Sequence, residues 1–377
     1  MNKKKQSLIR NDGFQTVIAS LLCILLGIFV GYVVLLIINP SGAGEAIVAI
    51  LKNYFYYPSS VAVMKYLGTT LVKASALLMC ALSVLFANKA GLFNIGAAGQ
   101  YVVGAGASIY FAIAFDMPWY LCLLAAIVFA AFVGGISGFL KAYFNVNEVI
   151  SSIMLNWISL YCVNMLLANV KEPSTPYTMK LSSANKDALI PNAGLDTIFS
   201  NNEFVTIGII LAVVAAILVW IFIEKTKFGY ELKATGMNKS AAKYCGMKEK
   251  KNTIVTMMIA GGLAGMGAAI FYLSGIEQWM VQQTSVPAMG FNGIAAAFLG
   301  GLNPIGTIFS SYFIQHITSG GSYVDKSMYC TQISDLMIAF IIYLCGFVLF
   351  FKLWLNRFLE KRDEKLAAKA EKGGKAS

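Results

Sequence analysis

The chain has 377 residues, of which 58% are hydrophobic and only 12% are charged, whereas a soluble domain keeps roughly a quarter of its residues charged. Its net charge of +11 does not indicate a nucleic-acid partner, because the basic excess is confined to residues 1–13, 224–251 and 352–377, as the positive-inside rule expects. Composition therefore excludes a soluble domain and predicts an all-α, multi-pass protein of the cell membrane that is surrounded by lipid.

Apolar runs of about 20 residues recur along the chain, and a helix of this length crosses a hydrocarbon core of about 30 Å. Lipid forces every peptide group to be paired internally, and the alternating segments of a barrel are not visible in this sequence. The runs are therefore predicted to be helices, and Pro304 splits the eighth and ninth into a short, broken pair. The ten predicted segments are 17–38, 65–86, 95–115, 119–140, 148–168, 204–223, 253–274, 290–302, 305–318 and 333–351.

The basic segments fix the predicted topology, because ten crossings place both termini on the cytoplasmic side. Residues 1–13 are predicted to be a cytoplasmic tail, residues 14–352 the transmembrane domain, and residues 353–377 a basic, disordered cytoplasmic tail. Within the transmembrane domain, residues 170–203 are an outer loop and residues 224–252 a basic inner loop.

Cysteine and histidine do not form a metal or disulfide framework. Five of the seven cysteines lie inside apolar runs, where cysteine behaves as a small hydrophobe, and the single histidine, His316, is in an apolar segment. The sequence also lacks a nucleophile–base pattern, so we expect no metal site, no catalytic residues and no enzymatic activity. Lys73 is the one deep cation, and it either snorkels to the interface or pairs across the bundle.

Two polar, glycine-rich clusters occupy corresponding positions in the two halves of the chain, at 88–100 and 290–301. Each places Phe-Asn at the start of a short glycine-rich helix. Such interruptions in both halves are typical of a transporter's central pathway, since freed backbone must line a cavity or be buried in protein. Alternatively, the asparagines cap helices and the phenylalanines only pack. The predicted pathway residues in these clusters are Phe93, Asn94, Gln100, Phe291 and Asn292.

A third polar cluster opens the fifth predicted segment. Glu148, Ser152 and Asn156 fall on one helix face at intervals of four residues, and a polar stripe in a membrane helix faces the protein interior. We expect Glu148 to stabilise the helix N-terminus. Asn156 and the adjacent Trp157 are predicted pathway residues, although a structural role for Asn156 remains open.

The basic inner loop contains a predicted short helix at 238–244 that ends before Gly246, a residue suited to a helix C-terminus. A positive-inside signal explains the lysines of this loop, but it does not explain the order Gly-x-Asn-x-x-Ala-Ala. A short cytosolic helix between two membrane segments is suited to docking another protein.

Together these four motifs resemble the permease family of ABC importers that serves branched-chain amino acids, simple sugars and nucleosides. The resemblance covers about residues 15–350 and is strongest to the nucleoside-type branch. One departure is Ala97-Ala98, where relatives often carry an acidic residue. The motifs that carry the resemblance read GLFNIGAAGQ at 91–100, NEVISSIMLNW at 147–157, GMNKSAAKYCGM at 236–247 and GFNGIAAAFLGGLNPIG at 290–306.

The resemblance implies that residues 14–352 form a permease domain and that residues 234–247 couple it to a separate cytosolic ATP-binding subunit. The chain has no Gly-x-x-x-x-Gly-Lys-[Ser/Thr] motif of its own, so ATP would be used by that partner and this chain would hold no cofactor. An extracellular solute-binding lipoprotein and a second, related permease subunit are the other implied partners. The implied ATPase-coupling residues are Gly236, Asn238, Ala241, Ala242, Tyr244 and Gly246.

Two alternatives remain open from the sequence. The same family imports simple sugars and branched-chain amino acids, so the solute is not fixed by these motifs. An ion-driven secondary transporter is also built from broken helices, but it would usually carry acidic or histidine residues at mid-membrane, whereas Asp116 and Asp335 lie near segment ends.

Overall fold

The computed structural model describes residues 12–330, 332–345, 347, 350–354 and 356–357. These residues form two compact units, the larger within 48–323 and the smaller from the two ends of the chain. The helices are, in chain order, α1 (Asp12–Ile38), α2 (Ala43–Lys52), α3 (Ser60–Lys89), α4 (Ala97–Ala114), α5 (Trp119–Phe144), α6 (Glu148–Leu167), α7 (Leu181–Ala184), α8 (Leu195–Ile198), α9 (Gly208–Lys225), α10 (Lys227–Met237), α11 (Lys239–Tyr244), α12 (Glu249–Tyr272), α13 (Ala288–Leu299), α14 (Pro304–Gly320) and α15 (Ile333–Cys345).

The predicted all-α membrane fold is confirmed. Within the described residues, seven helices are long and apolar enough to span a membrane, namely α1, α3, α4, α5, α6, α9 and α12. The predicted segments 290–302, 305–318 and 333–351 correspond to the shorter helices α13, α14 and α15. The number of crossings and the side on which the termini lie stay predictions, and the predicted tails 1–13 and 353–377 fall mostly outside the described residues.

The broken helix pair turns at the residues that the sequence singled out. Asn303 caps α14, since its Oδ1 accepts a hydrogen bond from the Ile305 N–H at 2.9 Å, and Pro304 occupies the first turn, where no donor is needed. The turn before it contains Gly301 with a φ of 66°, a left-handed conformation that glycine adopts without strain. Because α13 is short and this tight turn follows it, both ends of α13 belong to the larger unit.

The core of the larger unit is built around α3, which is buried over most of its length, whereas most residues of α5, α6 and α9 are partly or fully exposed. The exposed positions are apolar, as Phe132, Met165 and Leu218 illustrate. Such surfaces are those of helices that face lipid.

Small residues bring α4, α5 and α12 into backbone contact. A Cβ atom on Gly134 of α5 would overlap the Met257 carbonyl of α12, and one on Gly261 would overlap the Ala130 carbonyl in return. Gly265 of α12 also lies directly against Gly104 of α4. The small-xxx-small faces of the sequence therefore serve close helix packing.

The smaller unit pairs α1 with α15. Gly27 and Gly31 of α1 pack against Ile341 and Met337 of α15, and the Tyr329 hydroxyl donates a hydrogen bond to the Asn39 carbonyl at 2.6 Å.

In the larger unit, the predicted outer loop 170–203 pairs with the segment after α12. The Thr178 N–H donates a hydrogen bond to the Trp279 carbonyl and the Ile190 N–H donates one to the Leu273 carbonyl, both at 2.9 Å.

Candidate functional site

The first glycine-rich cluster is fixed by an exchange of amide hydrogen bonds. Asn94 Nδ2 donates to Gln100 Oε1 at 2.8 Å and to Ser83 Oγ of α3 at 3.0 Å, while Gln100 Nε2 donates to Asn94 Oδ1 at 3.2 Å. All three side chains are buried. The pair therefore satisfies its own polar groups and holds the start of α4 against α3; that Asn94 and Gln100 also contact a solute stays a prediction.

Asn156 of α6 secures the same cluster from the other side. Its Oδ1 accepts a hydrogen bond from the Gly99 N–H at 2.8 Å, and its Nδ2 donates to the Ile95 carbonyl at 3.2 Å. A Cβ atom on Gly99 would lie 2.6 Å from the Asn156 Cα, so glycine permits this approach. Trp157, one residue on, is partly exposed and stacks on Tyr161.

The N-terminus of α6 is held by Asn147 and by Glu148, of which the sequence predicted only Glu148. Asn147 caps the helix by accepting a hydrogen bond from the Val149 N–H at 2.9 Å, and Glu148 forms an ion pair with Lys141 of α5 at 2.8 Å. Ser152, on the buried face, has an Oγ atom without a hydrogen-bond partner among the described residues. The structure thus places Glu148 in a structural role.

The second glycine-rich cluster meets the first. Gly290 packs on the backbone of Ala98, so closely that a Cβ atom at position 290 would overlap it. The rings of Phe93 and Phe298 add a contact between the two clusters, with centroids 6.4 Å apart. The two helix starts therefore lie side by side within the bundle. The remaining predicted pathway residues of this cluster, Phe291 and Asn292, are exposed and partly exposed respectively.

The structure contains two cavities of about 380 and 340 Å³, in the size range of small-molecule sites, and the second of them adjoins both clusters at Tyr101 and Ala288. Tyr272, Glu277 and Gln278 line both of them. Tyr272 is the last residue of α12, so the cavities lie at the far end of that helix from α11, about 36 Å along its axis from its first residue. The second cavity is also lined by Tyr101, Tyr177, Phe271, Met280, Gln283, Pro287, Ala288 and Met289.

The second cavity ends at the start of α13, since Ala288 and Met289 form part of its lining. A half-length helix whose N-terminus points into a cavity is the arrangement that transporters use beside a polar solute. The cavity residues after α12 are not part of any sequence motif, because residues 275–289 lie between the predicted segments 253–274 and 290–302. Their signal was the clustering of Glu277, Gln278 and Gln283 beside aromatic residues.

The segment after α12 is anchored so that its polar side chains hold their positions. Trp279 is fully buried and donates from Nε1 to Asn164 Oδ1 of α6 at 3.0 Å, and Asn164 Nδ2 donates to the Gln283 carbonyl at 2.9 Å. Gln278 Nε2 donates to the Thr178 carbonyl at 2.6 Å. These bonds fix the wall that the two cavities share.

Glu277 is the charged group on that shared wall. Its side chain is open to the cavity, and it forms no hydrogen bond or ion pair with another residue of the described part of the chain. Surrounding protein raises the pKa of the Glu277 carboxyl, and the positive charge of Lys73 on α3 opposes that rise. Lys73, the deep cation of the sequence, therefore acts electrostatically on the cavity.

The coupling segment, residues 234–247, has the local structure that the sequence predicted. Asn238 Oδ1 accepts a hydrogen bond from the Ala241 N–H at 3.0 Å and caps α11, and Gly246 follows the helix with a φ of 81°. Ala242 is buried, whereas Tyr244 is 94% exposed. One face of α11 thus holds the helix to the protein, and the other is left open.

Two glycines join the coupling segment to the first glycine-rich cluster. A Cβ atom on Gly236 would lie 2.6 Å from the Ala90 carbonyl carbon and 2.7 Å from the Gly91 nitrogen, so the two backbones are in direct contact. Thr235, next to this contact, accepts a hydrogen bond from Asn252 Nδ2 of α12 at 3.1 Å. The segment is therefore in contact with both the cluster and the helix that leads to the cavities.

Comparison with known proteins adds to this geometry. Residues 66–346 match the family model described as "Branched-chain amino acid transport system / permease component". The guanosine ABC transporter permease protein NupP of Bacillus subtilis is 35% identical over 282 residues, which are 74% of this chain and 80% of that protein. The nucleoside ABC transporter permease protein NupB of Lactococcus lactis is 31% identical over 345 residues, 88% of this chain and 91% of that protein.

A third relative, the glucose ABC transporter permease protein TsgB13 of Haloferax volcanii, is 30% identical over 270 residues, 69% of this chain and 70% of that protein. No solved structure matches the chain.

Proposed function

The chain belongs to the family of branched-chain amino acid transport system permease components, and we propose that it is the membrane-spanning subunit of an ATP-driven ABC importer for nucleosides. The observation that carries the proposal is its similarity to two nucleoside-type permeases over three quarters or more of their length. The cavities support it, because tyrosine rings can stack on a base and amide side chains can bind its edge and the sugar hydroxyls.

In this proposal, the solute enters from an extracellular binding protein over the ordered segments 170–203 and 273–287 and then occupies the second cavity. It next passes the point where the two glycine-rich clusters meet. The proposed pathway residues are Phe93, Asn94, Gln100, Asn156, Trp157, Phe291 and Asn292. The buried amides among them shape the passage by fixing the start of α4.

ATP is used by a separate cytosolic subunit that docks on the coupling segment. The exposed Tyr244 on a capped helix supports this assignment, because aromatic side chains dominate binding energy at protein interfaces. Gly236, Asn238, Ala241, Ala242 and Gly246 complete the proposed coupling residues. A second, related permease subunit forms the other half of the pathway, and this chain itself holds no cofactor.

The docking assignment is tested by Tyr244→Ala, with Tyr230→Ala as the matched control. Tyr230 is also exposed and lies in the same inner loop, on α10 and outside the coupling segment. We expect Tyr244→Ala to lower co-purification of the ATP-binding subunit by about tenfold, the effect of losing an aromatic anchor, and Tyr230→Ala to leave it unchanged. Normal co-purification with Tyr244→Ala would reject the assignment.

The solute is tested by reconstituting the complete importer in liposomes. We expect ATP-dependent uptake of radiolabelled guanosine and uridine, and none of leucine. Uptake of glucose or leucine without nucleosides would transfer the chain to another branch of the family, as the glucose-permease relative would suggest. Uptake that persists without ATP and collapses with an ionophore would instead indicate a secondary transporter.

A further inference from the structure

Glu277 occupies the one stretch of wall that both cavities share, between Tyr272 and Gln278. The neighbouring polar groups are already engaged: Gln278 donates to Thr178, and the Gln283 carbonyl accepts from Asn164. Glu277 has no such partner among the described residues. The residue is exposed where it lines the two cavities, so the partner of its carboxylate is expected to be water or the solute.

A carboxylate offers two acceptor oxygens and no donor. It therefore binds best to two adjacent donors, which it accepts side by side, as it does with the paired N–H groups of arginine. A ribonucleoside presents such pairs in two places, the neighbouring 2′- and 3′-hydroxyls of its sugar and, in guanosine, the N1–H and N2–H groups of its base. A leucine side chain presents none.

The surroundings of Glu277 suit the rest of such a molecule. Tyr101, Tyr177 and Tyr272 line the second cavity with it, and Tyr177, which is the exposed one of the three, offers a ring face on which a planar base can stack. Lys73 carries the positive charge that acts on Glu277 without pairing with it directly. The Lys73 charge favours the ionised carboxylate, although the pKa of Glu277 is still raised by the surrounding protein, and it leaves both carboxylate oxygens without a hydrogen-bond partner among the described residues.

We infer that Glu277 is a specificity-determining residue that accepts a pair of hydrogen bonds from two adjacent donor groups of the transported nucleoside. The inference rests on the proposed function, because it names the group that selects the solute within the same pathway. A purely structural Glu277 would balance the Lys73 charge and would act on every solute alike.

The test uses the complete importer in liposomes, with binding protein saturated with one solute at a time, so that turnover reports the permease. The solutes are guanosine, 2′,3′-dideoxyguanosine, which lacks the sugar donors, and inosine, which lacks the N2 donors. Loss of a hydrogen bond to a charged group corresponds to about tenfold or more. The wild-type importer should therefore turn over one of the two analogues at least about tenfold more slowly than guanosine, and the slower analogue identifies the contacted donors.

Glu277→Gln should reduce guanosine turnover to that of the slower analogue and so abolish the discrimination. Glu203→Gln is the matched control, since Glu203 is exposed and lines only the first cavity; it should keep the wild-type ratio. Glu277→Asp retains the carboxylate and should keep the preference at a reduced rate. If Glu277→Gln is poorly folded, the ratio of guanosine to analogue turnover in Glu277→Asp decides whether the carboxylate sets the preference.

Three results would overturn the inference: equal wild-type turnover of all three solutes, an unchanged ratio in Glu277→Gln, or equal slowing of every solute, which a purely structural charge at position 277 would give. None of these three results would contradict the proposal that the importer transports nucleosides. A wild-type importer that moves glucose or leucine but no nucleoside would instead refute the proposed function, and the inference would fall with it.

Discussion

The contact between Gly236 and the Ala90–Gly91 backbone makes the coupling segment sensitive to a single methyl group. In Gly236→Ala the new Cβ would lie 2.6 Å from the Ala90 carbonyl carbon, whereas carbon atoms in favourable contact are about 3.5–4.0 Å apart. Because the obstructing atoms are backbone, the two segments must separate by about 1 Å. Overpacking of this kind costs about 1–3 kcal/mol. If this free energy is lost from the coupling between the ATP-binding subunit and the solute pathway, the stimulation of ATP hydrolysis by solute-loaded binding protein falls about 5- to 150-fold.

The assay is ATP hydrolysis by the purified importer in liposomes, with and without solute-loaded binding protein. Gly236→Ala should keep the ATP-binding subunit in the complex, because α11 itself is unchanged, but should lose most of the solute-dependent stimulation. Gly44→Ala is the control: Gly44 lies on α2, outside the coupling segment, and its Cβ would meet no atom within 4 Å, so stimulation should be unchanged. Full stimulation in Gly236→Ala would refute the idea that this contact transmits the signal.

Three further predictions follow from the hydrogen bonds and charges of the site. Asn156→Ala leaves the Gly99 N–H and the Ile95 carbonyl unpaired inside the protein and should lower the free energy of unfolding by roughly 2 kcal/mol or more; an unchanged melting temperature in detergent would contradict this. Asn238→Ala removes the cap of α11, worth about 1 kcal/mol, and should weaken ATP-subunit binding in a pull-down, whereas Asn238→Asp should restore it. Nucleoside uptake should fall on acidification, because only the ionised carboxylate of Glu277 can accept two hydrogen bonds side by side. With its pKa raised, the fall begins above the usual range near 4.3, and Glu277→Gln should lack this step. The other charged groups that act on Glu277 or line its cavities are Lys73, Lys180 and Glu203.

Features that depend on local sequence could be predicted. Apolar runs place the long helices to within a few residues, because lipid leaves a continuous apolar segment few alternatives to a helix. Asn238 and Gly246 mark the start and end of α11, since capping is decided by a residue's own side chain and backbone conformation. The break between α13 and α14 could be predicted for the same reason, since it depends on the backbone conformation of Pro304 itself.

Features that depend on distant contacts could not be read in the same way. Asn94 is a plausible pathway residue in the sequence, but its partner Gln100 and the neighbouring Ser83 become apparent only when α3 and α4 are packed together. The cavity wall after α12 is shaped by Asn164, which lies 115 positions from Trp279. No periodicity or spacing records such a pairing, so Glu277 did not stand out among the residues of a short connection.

The interlocked backbones of α4, α5 and α12 have a mechanical consequence. Helices that contact through long side chains can slide past each other when those side chains change rotamer. Where a glycine lies directly on a backbone carbonyl, no side chain is present that could adjust in this way. We therefore expect these three helices to move together as one rigid body. A displacement at Asn252, near the start of α12, would then displace the cavity wall at Tyr272. In the proposed importer, ATP use by the partner subunit would thus open the solute site without a flexible link between the two.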